Sequence, residues 1–159
     1  VMPYKGVFLA EQLYGDAGLR PTEDIDIIVP QADVMRAVQG LMTELGYAPD
    51  YAFHSERQET VYLRQIHHYG LTHPRSRLRI EVHWDLAAPA TGFAVDWADV
   101  WVRAVPDVWH AKSVMLPAVE DHLLFLAIHG GKEQWRALRW LVDVGELLAQ
   151  APHQAGGVV

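Results

Sequence analysis

The chain has 159 residues with 13 Lys+Arg and 20 Asp+Glu, a formal net charge of −7 and 50% hydrophobic residues, a composition that buries one core and excludes a disordered chain. No apolar stretch reaches the ~20 residues of a membrane span and no signal peptide opens the sequence, so a soluble, cytoplasmic protein is expected. The absence of cysteine excludes disulfides, thiolate–zinc sites and a cysteine nucleophile. Residues 1–60 hold 4 basic and 10 acidic side chains, and there is no Lys/Arg-rich run, which argues against a nucleic-acid partner.

In chain order, Val7–Tyr14 reads as a helix stopped by Gly15, followed by a polar Gly/Pro loop over residues 15–23. The β-branched run Ile25–Val29 reads as a strand ending at Pro30. Val34, Ala37, Val38, Leu41 and Leu45 recur at helical period across Gln31–Leu45, with Gly46 as the stop. Residues 47–66 are ambiguous between strand and helix. His68–His73 and Arg77–Trp84 read as a hairpin around Pro74-Arg75-Ser76; Leu78, Ile80, Val82 and Trp84 share one face, and Arg79, Glu81 and His83 the other. Residues 96–103 suggest a short helix.

After Leu116-Pro117 the pattern is helical. Leu123, Leu124, Ala127 and Ile128 form the expected buried stripe of one helix, ended by Gly130-Gly131. A second runs from about Glu133 to Gln150 with Trp135, Leu138, Leu141, Val142 and Leu148 inward. The expected fold is α+β: a small mixed sheet flanked by helices, then a C-terminal helical hairpin. The expected division is a core over residues 1–112, a hairpin appendage over 113–151, and a flexible tail over 152–159 at a truncation point.

The sharpest chemical feature is Asp24-Ile25-Asp26. Residues two apart on a strand project from one face, so both carboxylates point the same way and repel unless a cation lies between them. Mg²⁺ or Mn²⁺ accepts such oxygen ligands together with substrate phosphates. The plain alternative is a strand beginning at Ile25, with Asp24 in the loop and Asp26 on an exposed edge. Glu81 is a third strand carboxylate, beside His83, and would converge on the pair if the two strands are neighbours; otherwise it decorates a solvated sheet face. His83 reads as a ligand, a base or a satisfied strand histidine. Nine histidines, among them His67, His68 and His73, invite a zinc reading that no H-E-x-x-H spacing supports.

Lys5-Gly6, Leu13-Tyr14, Arg20 and Asp24–Val29, followed by Ile80-Glu81-Val82-His83-Trp84, Glu120-Asp121-His122-Leu123-Leu124, His129-Gly130-Gly131-Lys132 and Trp135–Asp143, are similar in order to the polymerase-β-like nucleotidyltransferase superfamily. More narrowly, they resemble a bacterial family of uncharacterised nucleotidyltransferases. The resemblance implies Asp24, Asp26 and Glu81 as catalytic metal ligands, Mg²⁺ or Mn²⁺ as cofactor, an NTP substrate and an unknown acceptor. Lys5-Gly6 stands where the superfamily has a Gly-Ser phosphate-binding element, without the serine and with a longer gap to Asp24. Arg20 either binds a triphosphate or pairs with Glu23 or Asp24; Lys132 either reaches phosphates or is an exposed lysine at a helix end. The implied activity is transfer of a nucleoside monophosphate from an NTP to a small-molecule or protein hydroxyl with pyrophosphate release. The alternatives are an inactive nucleotidyltransferase-fold module binding a protein partner, as an antitoxin does, and a metal-dependent phosphohydrolase.

Overall fold

A computed structural model describes residues 1–154. Seven strands and six α-helices are present among them: β1 (Met2–Pro3), α1 (Gly6–Tyr14), β2 (Asp24–Ile28), α2 (Val34–Leu45), β3 (Ala48–Pro49), α3 (Glu56–Gln65), β4 (His68–Thr72), β5 (Arg79–His83), α4 (Trp97–Arg103), β6 (Val105–Trp109), β7 (Lys112–Leu116), α5 (Val119–Lys132) and α6 (Leu138–Gln154). The fold is α+β, as expected. Five strands form one mixed sheet in the order β1-β2-β5-β4-β3, with β2 and β5 parallel and every other pair antiparallel.

The period-2 alternation of β2 and β5 gives this sheet two unlike faces. Ile25, Ile27, Ile80 and Val82 pack with Val34 and Val38 of α2 and with Tyr62 and Leu63 of α3. The opposite face carries Asp24, Asp26, Glu81 and His83 and looks toward the start of α1 and the end of α5. Beside it, Met2, Tyr4, Ile28, Val100, Phe125 and Ile128 join the first strands to α4 and α5, and Leu9, Leu13, Leu126 and Leu147 join α1 to the last two helices. The ambiguous stretch 47–66 resolves into the short edge strand β3 and helix α3, whose Ser55 side chain caps the Gln58 N–H. Residues 104–116, which carry no element in the sequence reading, form the β6–β7 hairpin; Met115 N donates to Val1 O and ties it to the first strand.

The two C-terminal helices correct several expectations. Gly130-Gly131 does not end α5 but lies inside its last turn; a Cβ at Gly130 would overlap the Trp135 ring, so the glycine is there for that contact. Trp135 itself lies in the connection before α6 with a positive φ. Leu138 is 77% exposed, and Leu141, Val142 and Leu148 are also exposed; Asp143 and Leu147 point inward instead. In α5 the buried face holds Asp121, His122, Phe125, Leu126 and Ile128, while Leu124 and Ala127 face out. Leu78 lies just before β5 and is exposed. In each helix the buried face is rotated toward a polar residue that a distant partner satisfies: Asp121 by Arg103, and Asp143 by Arg20 and Tyr14. α6 continues to Gln154, beyond the expected end, and residues 155–159 of the expected tail lie outside the described residues. No described helix is long and apolar enough to cross a membrane.

Candidate active site

The parallel pairing of β2 with β5 sets Asp26 directly opposite Glu81 and Ile28 opposite His83. Parallel neighbours lie about 4.8 Å apart, so in-register side chains on one face stand side by side. Asp24 belongs to the strand rather than the loop, and Asp26 is 1% exposed rather than on an open edge. Two carboxylates at this separation, Asp26 buried and Glu81 partly buried, repel, and the fold interposes donors between them. His83 Nε2 lies 2.9 Å from Asp26 Oδ1 and 3.2 Å from Glu81 Oε2, and the Lys5 ammonium lies 3.0 Å from Asp26 Oδ1. Burial pushes the Asp26 carboxyl up, but the His83 hydrogen bond and the Lys5 charge together outweigh it and hold it well below the usual range. Glu81 is also held down, burial being outweighed by the His83 hydrogen bond and the neighbouring histidines. Asp24 moves the other way, raised by burial and then by the charge of Asp26.

Lys5 reaches Asp26 because Gly6 lets α1 begin hard against β2. Gly6 has φ +63°, and a Cβ on it would come within 2.7 Å of the Asp24 carbonyl oxygen. The two-residue element Lys5-Gly6 is thus fixed against the first acidic residue of the strand. A cavity of about 220 Å³ opens here, lined by Lys5, Gly6, Arg20, Thr22, Asp24, Asp26, His129, Glu133, Arg139 and Trp140. Its walls are predominantly polar and include Lys5, Gly6 and Arg20, three of the four residues expected to bind the nucleotide, along with Asp24 and Asp26, leaving room for an anionic ligand beside the carboxylates. A larger cavity of about 420 Å³, lined by Trp84, Trp97 and Trp101, lies past the ends of β2 and β5 and contains none of these acids.

Arg20 pairs with neither Glu23 nor Asp24. Its Nε donates to both oxygens of Asp143 on α6 at 3.2 and 3.0 Å, and Tyr14 OH donates to Asp143 Oδ1 at 2.8 Å. The loop before β2 and helix α6 are thereby clamped together at the cavity. Lys132 is half-buried rather than exposed; its Nζ lies 3.3 Å from Leu86 O and 3.4 Å from His67 Nε2, outside that cavity.

Sequence reasoning leaves the histidines unresolved, and the structure groups three of them. β4 pairs with β5 so that His68 sits opposite His83, and His67 immediately precedes β4. One nitrogen each from His67, His68 and His83 lies within 4.8 Å of the others, and a second group of the same tightness comprises Asp26, Glu81 and His83. Burial lowers His67 to about 3 and His68 to about 4, so both rings are neutral at pH 7. The only signal for this in the sequence is the alternation that puts His83 on the face of Glu81. His129, lowered to about 3 by burial and the nearby lysines, lines the cavity and stands edge-on to Trp140 at 5.4 Å. His73 belongs elsewhere, bonding Ser76 in the β4–β5 turn.

A family model described as "Uncharacterised nucleotidyltransferase" matches residues 1–156. No curated protein sequence matches the chain. Among solved structures, the chain is similar to the crystal structure of the lincosamide antibiotic adenylyltransferase LnuA in its lincomycin-bound form. The identity is 18%, the TM-score 0.51, and the match covers 89% of this chain and 82% of that one. At this identity the likeness is one of fold.

Proposed function

Because the chain belongs to the uncharacterised nucleotidyltransferase family, we propose that it transfers a nucleoside monophosphate from an NTP to a hydroxyl of a small-molecule or protein acceptor, releasing pyrophosphate. The observation that carries this reading is the register of Asp26 against Glu81 on parallel strands, with Asp24 two residues away on the same face. The neighbour in fold is, by its title, an antibiotic adenylyltransferase, which favours ATP and a small acceptor.

The residues suit a divalent cation. Asp24 is raised by burial and then by the charge of Asp26, and Asp26 is satisfied by a lysine and a histidine. Asp24, Asp26 and Glu81 would hold Mg²⁺ or Mn²⁺. When bound, such ions neutralise charge on the transferred phosphate and make an acceptor hydroxyl more acidic. Lys5 supplies a fixed positive charge at Asp26 and, at the cavity wall, a partner for phosphate oxygens. Arg20 contributes by holding the wall in place through Asp143. Glu81 is kept ionised and is the carboxylate suited to receive the acceptor's proton. His83 keeps both carboxylates oriented.

The test is calorimetric titration with ATP and with GTP, with and without Mg²⁺, on the native chain and on Asp26→Asn. The expected result is Mg²⁺-dependent binding that the substitution abolishes. Binding that is independent of metal and unchanged in Asp26→Asn overturns the reading. Release of phosphate instead of pyrophosphate would point to a phosphohydrolase on the same acids.

A further inference from the structure

We propose that His67, His68 and His83 form a second, imidazole-built cation position beside the Asp24–Asp26–Glu81 carboxylates, which takes a borderline transition ion of the Zn²⁺ class in preference to Mg²⁺. It uses a donor set distinct from the carboxylates, and ligand type is what separates these ions: imidazole suits zinc and its neighbours, whereas Mg²⁺ keeps oxygen ligands.

Four observations converge. His67 Nε2 and His68 Nδ1 lie 3.3 Å apart. A tetrahedral zinc with bonds of about 2.0–2.1 Å holds its donors about 3.3–3.4 Å apart. The other nitrogen of His68, Nε2, lies 3.7 Å from Glu81 Oε1, the side on which metal-ligating imidazoles keep a carboxylate that fixes their tautomer. His83 is 1% exposed; its Nε2 faces Asp26 and Glu81, and its Nδ1 has no partner, leaving a buried lone pair for which the protein supplies no donor. Finally, a cation already stands at the cluster, the Lys132 ammonium 3.4 Å from His67 Nε2. Three nitrogen ligands leave a fourth position open, the arrangement of zinc sites that bind water or substrate.

Spacing in the sequence could not reveal this site. His67 and His68 are adjacent and would not normally be paired with a residue fifteen positions away; the antiparallel register of β4 and β5 brings His83 to them.

The test uses the full chain without nucleotide, so its outcome is separate from that of nucleotide transfer. Equilibrium dialysis against Zn²⁺ in millimolar Mg²⁺ is expected to retain one equivalent. Co²⁺ in place of Zn²⁺ is expected to give the intense visible bands of a four-coordinate site. His67→Gln and His68→Gln are each expected to weaken Zn²⁺ binding at least tenfold, whereas Asp24→Asn changes it by no more than a few-fold. Lys132→Met, which removes the competing cation, is expected to tighten it and keeps the test decisive if a histidine variant fails to fold. The proposal is overturned if Mg²⁺ displaces the Zn²⁺, if Co²⁺ shows only weak octahedral bands, if folded histidine variants bind like the native chain, or if Lys132→Met leaves affinity unchanged or lower.

Discussion

The clamp between Arg20 and Asp143 makes the most direct demand on the architecture around the site. Both side chains are nearly fully buried, at 7% and 1% exposure, and are joined by two hydrogen bonds from one nitrogen. Replacing Asp143 by Asn preserves shape and an acceptor for Tyr14 but leaves the guanidinium charge buried without a counterion. Removing one partner of a buried pair costs about 3–5 kcal/mol. In a chain of this size each kcal/mol lowers the melting temperature by about 2–4 °C, so Asp143→Asn is expected to melt about 6–20 °C lower. Arg20→Met, which strands the carboxylate, falls in the same range. The double variant Arg20→Met/Asp143→Asn buries no charge and is expected to be more stable than either single variant, because removing both partners of a buried ion pair leaves no uncompensated charge. Urea denaturation of the four proteins at pH 7 closes the cycle. Single variants that each cost under about 1 kcal/mol and simply add would refute the reasoning, since the pair would then be solvated rather than buried.

Two further predictions concern the elements that carry the site. Gly6→Ala places a side chain at positive φ and within 2.7 Å of the Asp24 carbonyl, and is expected to cost about 2–4 kcal/mol by urea denaturation; a change under 1 kcal/mol would mean that α1 does not abut β2 as described. His122 is fully buried, donates from Nε2 to Tyr4 O at 3.0 Å, and is lowered to about 4 by burial. The unfolded chain takes up this proton below about pH 6.5 and the folded chain only near pH 4, so its contribution is intact above 6.5 and is lost as pH falls, at about 1.4 kcal/mol per unit and about 2 kcal/mol by pH 5. His122→Gln keeps the hydrogen bond without the proton. Its stability is expected to fall less steeply than that of the native chain between pH 6.5 and 5, and parallel curves would contradict the assignment.

Strands β2 and β5 were legible because their burial is local. Ile25, Ile27, Ile80 and Val82 alternate with Asp24, Asp26, Glu81 and His83, and period 2 alone assigns the two faces. Helices α5 and α6 were legible in existence and approximate place but not in their bounds or orientation. A hydrophobic count assigns Asp121, His122 and Asp143 to solvent, yet each is buried because a residue far along the chain satisfies it: Arg103, Tyr4 and Arg20 respectively. Long-range pairing of polar groups leaves no periodic trace, so Leu124, Leu138 and Leu141 were placed inside when they lie outside.

The same distinction separates the carboxylates from the histidines within the site. Asp24 and Asp26 announce themselves because like charges two apart on a strand are costly wherever the strand goes. Glu81 needs one further fact, the parallel pairing of β2 with β5. His67 and His68 need two, since they reach His83 only through β4 on the other side of β5. His83 occupies the strand position where both pairings meet, opposite Ile28 on one side and His68 on the other, and its ring is the element shared by the acidic group and the imidazole group. Residues at such a junction cannot change one cluster without disturbing the other: a cation drawing on the histidines alters the donor that His83 offers to Asp26 and Glu81. Coupling between the two proposed cation positions runs through that side chain, whose Nε2 already divides itself between the two carboxylates at 2.9 and 3.2 Å, and through Glu81, whose Oε1 lies 3.7 Å from His68 Nε2.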